Sequence, residues 1–413
     1  MPELDVRLAQ GRVDLLDRID GPPLERLRRR AAARRRRRGL GVAVALLGVV
    51  AATALAGRVL GPDGARPAPA ASPSADPAYS ADGIVVHGLV GGANVWELPG
   101  AIGDVEFTDP RHGYLLTSCP GTDPCRRDTA RTSDGGLTWT VHELPPDVAR
   151  TAGGELLAFP AGPLMITGPT TYASLDGGGS WTAADPPPAG TAAGTAGPDD
   201  LLRPGDGGTA GCGAQVRLWR QGAVHDSGPV RQPPLGVCWV ADAPATDGGW
   251  WVGGVRDGRA VVAVTRDGGG SWQSAVLETP PGALASVEVA QLGSHAYAAV
   301  LGPGGELYSL WHSADGGRTF ARTRSAGAGG GGPAALAGAL VPLLDGRLLV
   351  AGTDRRWYLS ADDGRSFRRA EGTLPAVGRL ARTRAGYVAY DLFGSGWVAF
   401  SADGTTWRKL QIS

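Results

Sequence analysis

The sequence predicts an all-β fold, a seven-bladed β-propeller of four-stranded blades, preceded by a single transmembrane helix and a Pro/Ala-rich linker. Three observations carry this reading. A stretch first met as TSDGGLTW at 132–139 returns five more times along the chain. The copies recur at a regular interval, the mark of a repeat architecture. Between them apolar and polar residues alternate and short Gly-rich turns intervene, the pattern of antiparallel strands.

The copies share Ser/Thr-x-Asp-x-Gly-x-Ser/Thr-aromatic. The first carries Thr132, Asp134, Gly136 and Trp139, and the second Ser174, Asp176, Gly178 and Trp181. Thr265, Asp267, Gly269 and Trp272 make the third, and Ser313, Asp315, Gly317 and Phe320 the fourth. Ser360, Asp362, Gly364 and Phe367 make the fifth. The last is one residue short and keeps Ser401, Asp403 and Trp407. Successive Asp positions differ by 42, 91, 48, 47 and 41. The 91 is close to two periods of about 45, the span of one four-stranded blade. One eroded copy is therefore expected near residue 220, where QVRLWRQGAV at 215–224 reads as two strands about a tight turn.

The motif has a physical reading as a turn. An Asp carboxylate accepts hydrogen bonds from backbone N–H groups of its own turn. Glycine supplies φ > 0 where the chain reverses. The hydroxyls pin neighbouring backbone, and the aromatic residue opens the next strand. The Gly runs at 327–333 precede no Lys-Ser/Thr and no helix, so they read as loops and not as phosphate cradles.

The motif resembles the Asp-box, or BNR repeat, of sialidase-like β-propellers. That resemblance implies that the boxes lie away from the central channel where ligands bind. It also raises a second reading, a sialidase-like glycoside hydrolase, whose family uses three arginines, a Tyr–Glu pair and an Asp. The family's Arg-Ile-Pro signature is absent here, and no Glu follows Glu371, although Tyr387 and Tyr390 fall late in the chain. DVEFTDPRHGYLLTS at 104–118, followed by TARTSDGGLTW, is nearer to the non-enzymatic propellers of the photosystem II assembly factor type and of sortilin-like receptors. Those bind polypeptides, so the resemblance implies a binding or assembly scaffold. TDPRHGY and GGWWVGG (248–254) are candidate contact loops. No residue is assigned to catalysis, a metal or a cofactor.

The ends of the chain differ in charge. Residues 1–58 hold 13 Arg against 6 acidic residues, while the remainder holds 27 basic and 34 acidic residues. The basic excess is confined to one tail, which argues against nucleic-acid binding by the propeller. Residues 1–38 read as a cytoplasmic Arg-rich tail. Residues 39–57, 19 positions without a charge, read as a transmembrane signal anchor. Arg34 to Arg38 would face anionic lipid. Residues 58–83 read as an extended linker, and 84–413 as a propeller outside the cell membrane. The partner expected there is an envelope protein or a cell-wall glycan. Residues 83–98 are a candidate outer strand for the last blade.

Cys119, Cys125, Cys212 and Cys238 all follow the membrane segment, where disulfides persist. Of three possible pairings, the expected one joins Cys119 to Cys125 locally and clips the third unit to the fourth through Cys212 and Cys238. The spacings do not match a zinc ribbon.

Overall fold

A run of polar turns and alternating strands folds into seven successive antiparallel sheets, each a meander. The computed structural model describes residues 79–88, 101–118, 126–150, 154–160, 162–167, 170–184, 193–205, 212–220, 226–278, 286–325, 331–391 and 397–410. The tail and membrane-anchor readings lie outside these residues, as does most of the linker. Among the described residues, no helix is long and apolar enough to cross a membrane.

Two strands come first, β1 (Tyr79–Ala81) and β2 (Ile84–His87). Blade 1 is β3 (Ala101–Phe107), β4 (Gly113–Ser118), β5 (Asp128–Thr132) and β6 (Thr140–Glu143). A single helical turn, α1 (Pro146–Ala149), leads to blade 2: β7 (Leu156–Ala158), β8 (Leu164–Ile166), β9 (Tyr172–Ser174) and β10 (Thr182–Ala183). Blade 3 is β11 (Leu201–Pro204), β12 (Val216–Trp219) and β13 (Asp226–Pro229). Blade 4 is β14 (Gly236–Val240), β15 (Trp250–Arg256), β16 (Arg259–Thr265) and β17 (Gln273–Val276). Blade 5 is β18 (Ser286–Leu292), β19 (His295–Leu301), β20 (Leu307–Ser313) and β21 (Ala321–Ser325). Blade 6 is β22 (Val341–Pro342), β23 (Leu348–Ala351), β24 (Trp357–Ser360) and β25 (Arg368–Arg369). Blade 7 is β26 (Arg379–Thr383), β27 (Gly386–Asp391), β28 (Trp397–Ser401) and β29 (Thr406–Lys409). The chain is thus an all-β, seven-bladed propeller.

The core lies between blades, and the period of two explains how. Along β19, Ala296, Ala298 and Val300 pack towards blade 4, while Tyr297, Ala299 and Leu301 pack towards blade 6. In β15, Trp250 faces blade 3 and Trp251 faces blade 5. Both tryptophans are buried, so GGWWVGG is packing between blades and not a contact loop. In TDPRHGY, Pro110, Arg111 and His112 are exposed in a turn where Asp109 Oδ1 accepts the N–H groups of Arg111 and His112 at 2.8 and 2.9 Å, while Gly113 and Tyr114 are buried in β4.

The ring closes through the same kind of interface. Phe107 of blade 1 stacks on Phe400 of blade 7, with centroids 4.3 Å apart. Arg408 donates to the Gly135 carbonyl at 2.6 Å, as Arg266 of blade 4 donates to Gly316 of blade 5 at 2.8 Å. The N-terminal hairpin then covers the outer edge of blade 7. Val86 pairs in parallel with Trp407, and β1 runs antiparallel to β2 through the Asp82-Gly83 turn, where both residues have positive φ. An Asp-Gly pair suits that turn, and a covered edge cannot recruit a foreign strand. The outer strand expected within 83–98 is present, outside a blade that already has its own four.

Three expectations need correction. Residues 79–81 are sheet, not linker, because Ser80 exchanges backbone and hydroxyl hydrogen bonds with Thr373 of the ring. The eroded copy does not sit near residue 220: Val216–Trp219 is the second strand of blade 3, and the third strand ends only at Pro229. Equal division of the 91-residue interval failed because blade 3 is unequally partitioned. Blade 3 also shows three strands among the described residues, with Gly194 bridging Val230 in parallel at its edge. After its third strand, Gln232 does what a box does elsewhere. Its Oε1 accepts from Val216 N at 2.8 Å, and its Nε2 donates to the carbonyls of Val216 and Val230.

Candidate functional site: the central channel

Each repeated Asp is engaged within its own turn. Asp134 Oδ1 accepts from Thr132 Oγ1 and from the N–H groups of Leu137 and Thr138, and its Oδ2 accepts from Thr138 Oγ1. Asp176, Asp267, Asp315 and Asp362 accept equivalent bonds from Ser180, Ser271, Thr319 and Ser366. The leading hydroxyls of Thr132, Ser174, Thr265, Ser313 and Ser360 accept the N–H of the glycine four residues on, at 2.7–2.9 Å. In the shortened copy Ser401 accepts Gly404 N, three residues on. These bonds hold the Asp carboxylates low, Asp176 and Asp267 at about 2. Gly136, Gly178, Gly269, Gly317, Gly364 and Gly404 face side chains of the preceding blade, where a Cβ would press on Leu410, Thr129, Val230, Trp251, Leu310 and Val341. The boxes therefore hold turns and blade contacts, and they do not converge on one site. Trp139, Trp181, Trp272 and Phe320 pack against the clusters between blades, Phe367 lies inside one, and Trp407 is fully buried.

Cys212 and Cys238 form a disulfide that ties blade 3 to blade 4. Cys119 and Cys125 lie outside the described residues.

The first strands of the blades converge instead. β11, β14, β18 and β26 line a cavity of about 270 Å³ at the axis of the ring. Arg203, only 4% exposed, projects from β11. Its Nη1 lies 2.6 Å from Asp242 Oδ1 and 3.3 Å from Glu155 Oε1. Its Nε has no hydrogen-bond partner among the described residues. Glu288, Arg379 and Arg382 complete the charged lining. Asp104 and Glu106, on β3, feel the same charges.

Burial dominates the protonation of this cluster. It pushes Asp104 up to about 6, with Glu155 adding repulsion, and Glu288 up to about 7. Glu106 is driven well above the carboxylate range by burial and by Asp104. Both β3 carboxyls are deep in the disc yet keep some surface open, so they are wetted and not dry. Burial works against the Arg203 charge, but Glu155 and Asp242 outweigh it and hold the guanidinium protonated.

Glu155, Asp242 and Glu288 match Arg203, Arg379 and Arg382 in the lining, and Asp104 and Glu106 add two carboxyls to the same cluster, which tips it towards a cation once they ionise. Any cation that enters gives the raised carboxyls a reason to ionise. A carboxylate ligand meets the opposite: Arg203 is already committed, and Asp242, Glu155 and Glu288 repel it. Tyr387 and Tyr390, which sequence placed where a nucleophile would fall, do not line the cavity and are packed in the clusters between blades. At about 270 Å³ the cavity is below the roughly 300–1,000 Å³ of drug-sized ligand sites. It suits one long side chain better than an oligosaccharide. Sequence reading missed these residues. The available signal was a charged residue on the first strand of a unit, as in DVEF, LLRP and SVEV.

No protein-family model matches the chain, and no curated protein sequence matches it. Solved structures do. YCF48 from Cyanidioschyzon merolae is 16% identical at a TM-score of 0.47, over 76% of this chain and 96% of that one. YCF48 bound to D1 peptide is 17% identical at 0.35, over 76% and 83%. A puromycin-hydrolyzing peptidase of Mycobacterium tuberculosis is 15% identical at 0.41, over 75% of this chain and 53% of that one. At these identities and scores, the function of none of them carries over.

Proposed function

We propose that the chain is a non-catalytic binding scaffold of the Asp-box type, which holds a protein partner by a Lys or Arg side chain in its central channel. The observation that carries this is Arg203 flanked by Glu155 and Asp242 in a cavity whose three carboxyls match its three guanidiniums, with the Asp104 and Glu106 carboxyls adding to the same charge cluster. A protein supplies such a cation on a flexible stem, whereas a neutral or acidic glycan does not. In the same proposal residues 39–57 anchor the chain in a bacterial cell membrane and Arg34 to Arg38 lie against anionic lipid. The propeller then stands outside the membrane on the linker, close to envelope proteins. The disulfide between Cys212 and Cys238 supports an oxidising compartment.

Photo-crosslinking in cells tests the reading. A photoreactive residue at Ala339, on the cavity wall, should trap a discrete envelope protein. Trapping only glycan, or nothing, rejects it. Protease added to intact cells should remove the propeller, and a protected propeller rejects the orientation.

A further inference from the structure

At the boundary between blades 5 and 6 the repeat departs from itself twice. Of the five full-length boxes, four place glycine directly after the Asp, and Gly135, Gly177, Gly268 and Gly316 all have φ between 67° and 74°. Blade 6 has Asp363 there instead, at φ 59°. An Asp tolerates this region better than most side chains but still loses to glycine. The second departure faces it. In blade 1, Arg131 precedes the box and donates to the Asp176 carbonyl in blade 2. In blade 5 the equivalent residue is His312, and it meets Asp363.

A third residue joins them. Gly293 turns the chain from β18 into β19, and His295 opens β19 beside His312. His295 Nδ1 and His312 Nε2 are 2.9 Å apart, and their rings are inclined by only 13°. Two imidazole lone pairs at that distance repel unless a proton or a cation lies between them. Asp363 Oδ1 is 3.8 Å from His312 Nδ1, while its Oδ2 is taken by Arg365 at 3.0 Å. One ligand atom from each of His295, His312 and Asp363 lies within 4.8 Å of the others. Tyr297 stacks on the His312 ring at 4.8 Å and fixes its plane. His295 is exposed, so the cluster has an entry path.

We propose that His295, His312 and Asp363 bind a late first-row divalent cation, of which Zn²⁺ is the model, and thereby clip blade 5 to blade 6. Two imidazoles and one carboxylate suit this class and not Mg²⁺ or Ca²⁺. Ligand nitrogens about 2.0–2.1 Å from a tetrahedral zinc stand roughly 3.3 Å apart, so the His pair needs to open by only about 0.4 Å. Water completes the coordination.

The test is calorimetric titration of Zn²⁺ into the untagged full chain with its disulfides intact, with Mg²⁺ as the control. One equivalent of zinc should bind and raise Tm, and Mg²⁺ should do neither. His295→Ala and Asp363→Gly should each weaken zinc binding at least tenfold, the lower end of the ~10–100-fold seen for outer partners. Asp363→Gly restores the repeat, so in chelator its Tm should equal or exceed that of the native chain. That variant separates a lost ligand from a lost fold. The proposal is overturned if the native chain shows no stoichiometric zinc binding. It is equally overturned if both variants bind zinc as tightly as the native chain.

Discussion

Arg203 of blade 3 and Asp242, just beyond the first strand of blade 4, meet at 2.6 Å beside the axis of the ring. The contact joins two blades that a disulfide also joins, and it positions the charge on which the proposed ligand site depends. Arg203→Leu removes the cation and leaves Glu155 and Asp242 facing each other. It should cost about 1–3 kcal/mol, since both carboxylates can turn partly to water. Adding Asp242→Asn should recover part of that loss. Urea denaturation of the four proteins gives the coupling energy. A value under about 0.5 kcal/mol would mean the two residues act independently.

The boxes make a separable prediction. Ser313→Ala deletes the hydroxyl that accepts the buried Gly317 N–H at 2.9 Å. No neighbouring side chain replaces it, so the variant should lose about 1–3 kcal/mol. Because the box is remote from the axis, ligand affinity measured well below Tm should be unchanged. A loss of affinity in a fully folded Ser313→Ala protein would place the box in the binding site.

Acid titration distinguishes the two groups of carboxyls. Asp176 and Asp267, held at about 2 by bonds from Ser180 and Ser271, stabilise the fold above their unfolded value near 4. That gain is lost as pH falls towards 2. Asp104 and Glu288, raised by burial to about 6 and about 7, act in the opposite sense. Their contribution is complete below about 4 and is lost as pH rises through 6 to 7. Without ligand, stability should be highest near about pH 4–5. Allowing for channel water, it should then fall by on the order of 1–3 kcal/mol by about pH 8. In Asp104→Asn/Glu106→Gln/Glu288→Gln the fall should vanish. Denaturant midpoints across this range check it, and a native profile that rises from pH 5 to 8 contradicts it.

Replacing Cys212 and Cys238 with serine opens a clip spanning 26 residues of sequence. A loss of about 2–4 kcal/mol is expected, read by chemical denaturation. Mapping the unreduced protein should recover the Cys212–Cys238 peptide. Cys212 paired with Cys119 or Cys125 would contradict the structure.

Much of the fold was legible before any coordinates. Blade 5 shows why: ALASVEVAQL, SHAYAAVL and ELYSLWHS contain β18, β19 and β20, and TFARTR contains all of β21 but its last residue. Both faces of β19 and β20 are largely buried against neighbouring blades, so their apolar residues stand out as strand in the sequence. Blade 3 was less legible because its turn relies on Gln232, one side chain reaching three backbone groups, which leaves no repeated motif. The channel was illegible for a different reason. Asp104 and Glu106 alternate with Val105 and Phe107 just as solvent-facing residues would, and periodicity cannot tell channel water from bulk water. Nor does sequence show that Glu155, Arg203 and Asp242, from three blades, share one point in space.

The central claim is that the channel takes a cationic side chain, and calorimetry on one pair of peptides tests it most directly. The peptides are identical except that one carries a single Lys and the other its Nε-acetylated form, which lacks the charge. A charge-assisted hydrogen bond of about 1.5–3 kcal/mol predicts roughly 10–100-fold tighter binding of the Lys peptide, a gap that Asp242→Asn should close. Equal affinity for the two peptides, or a preference for the acetylated one, would contradict the account.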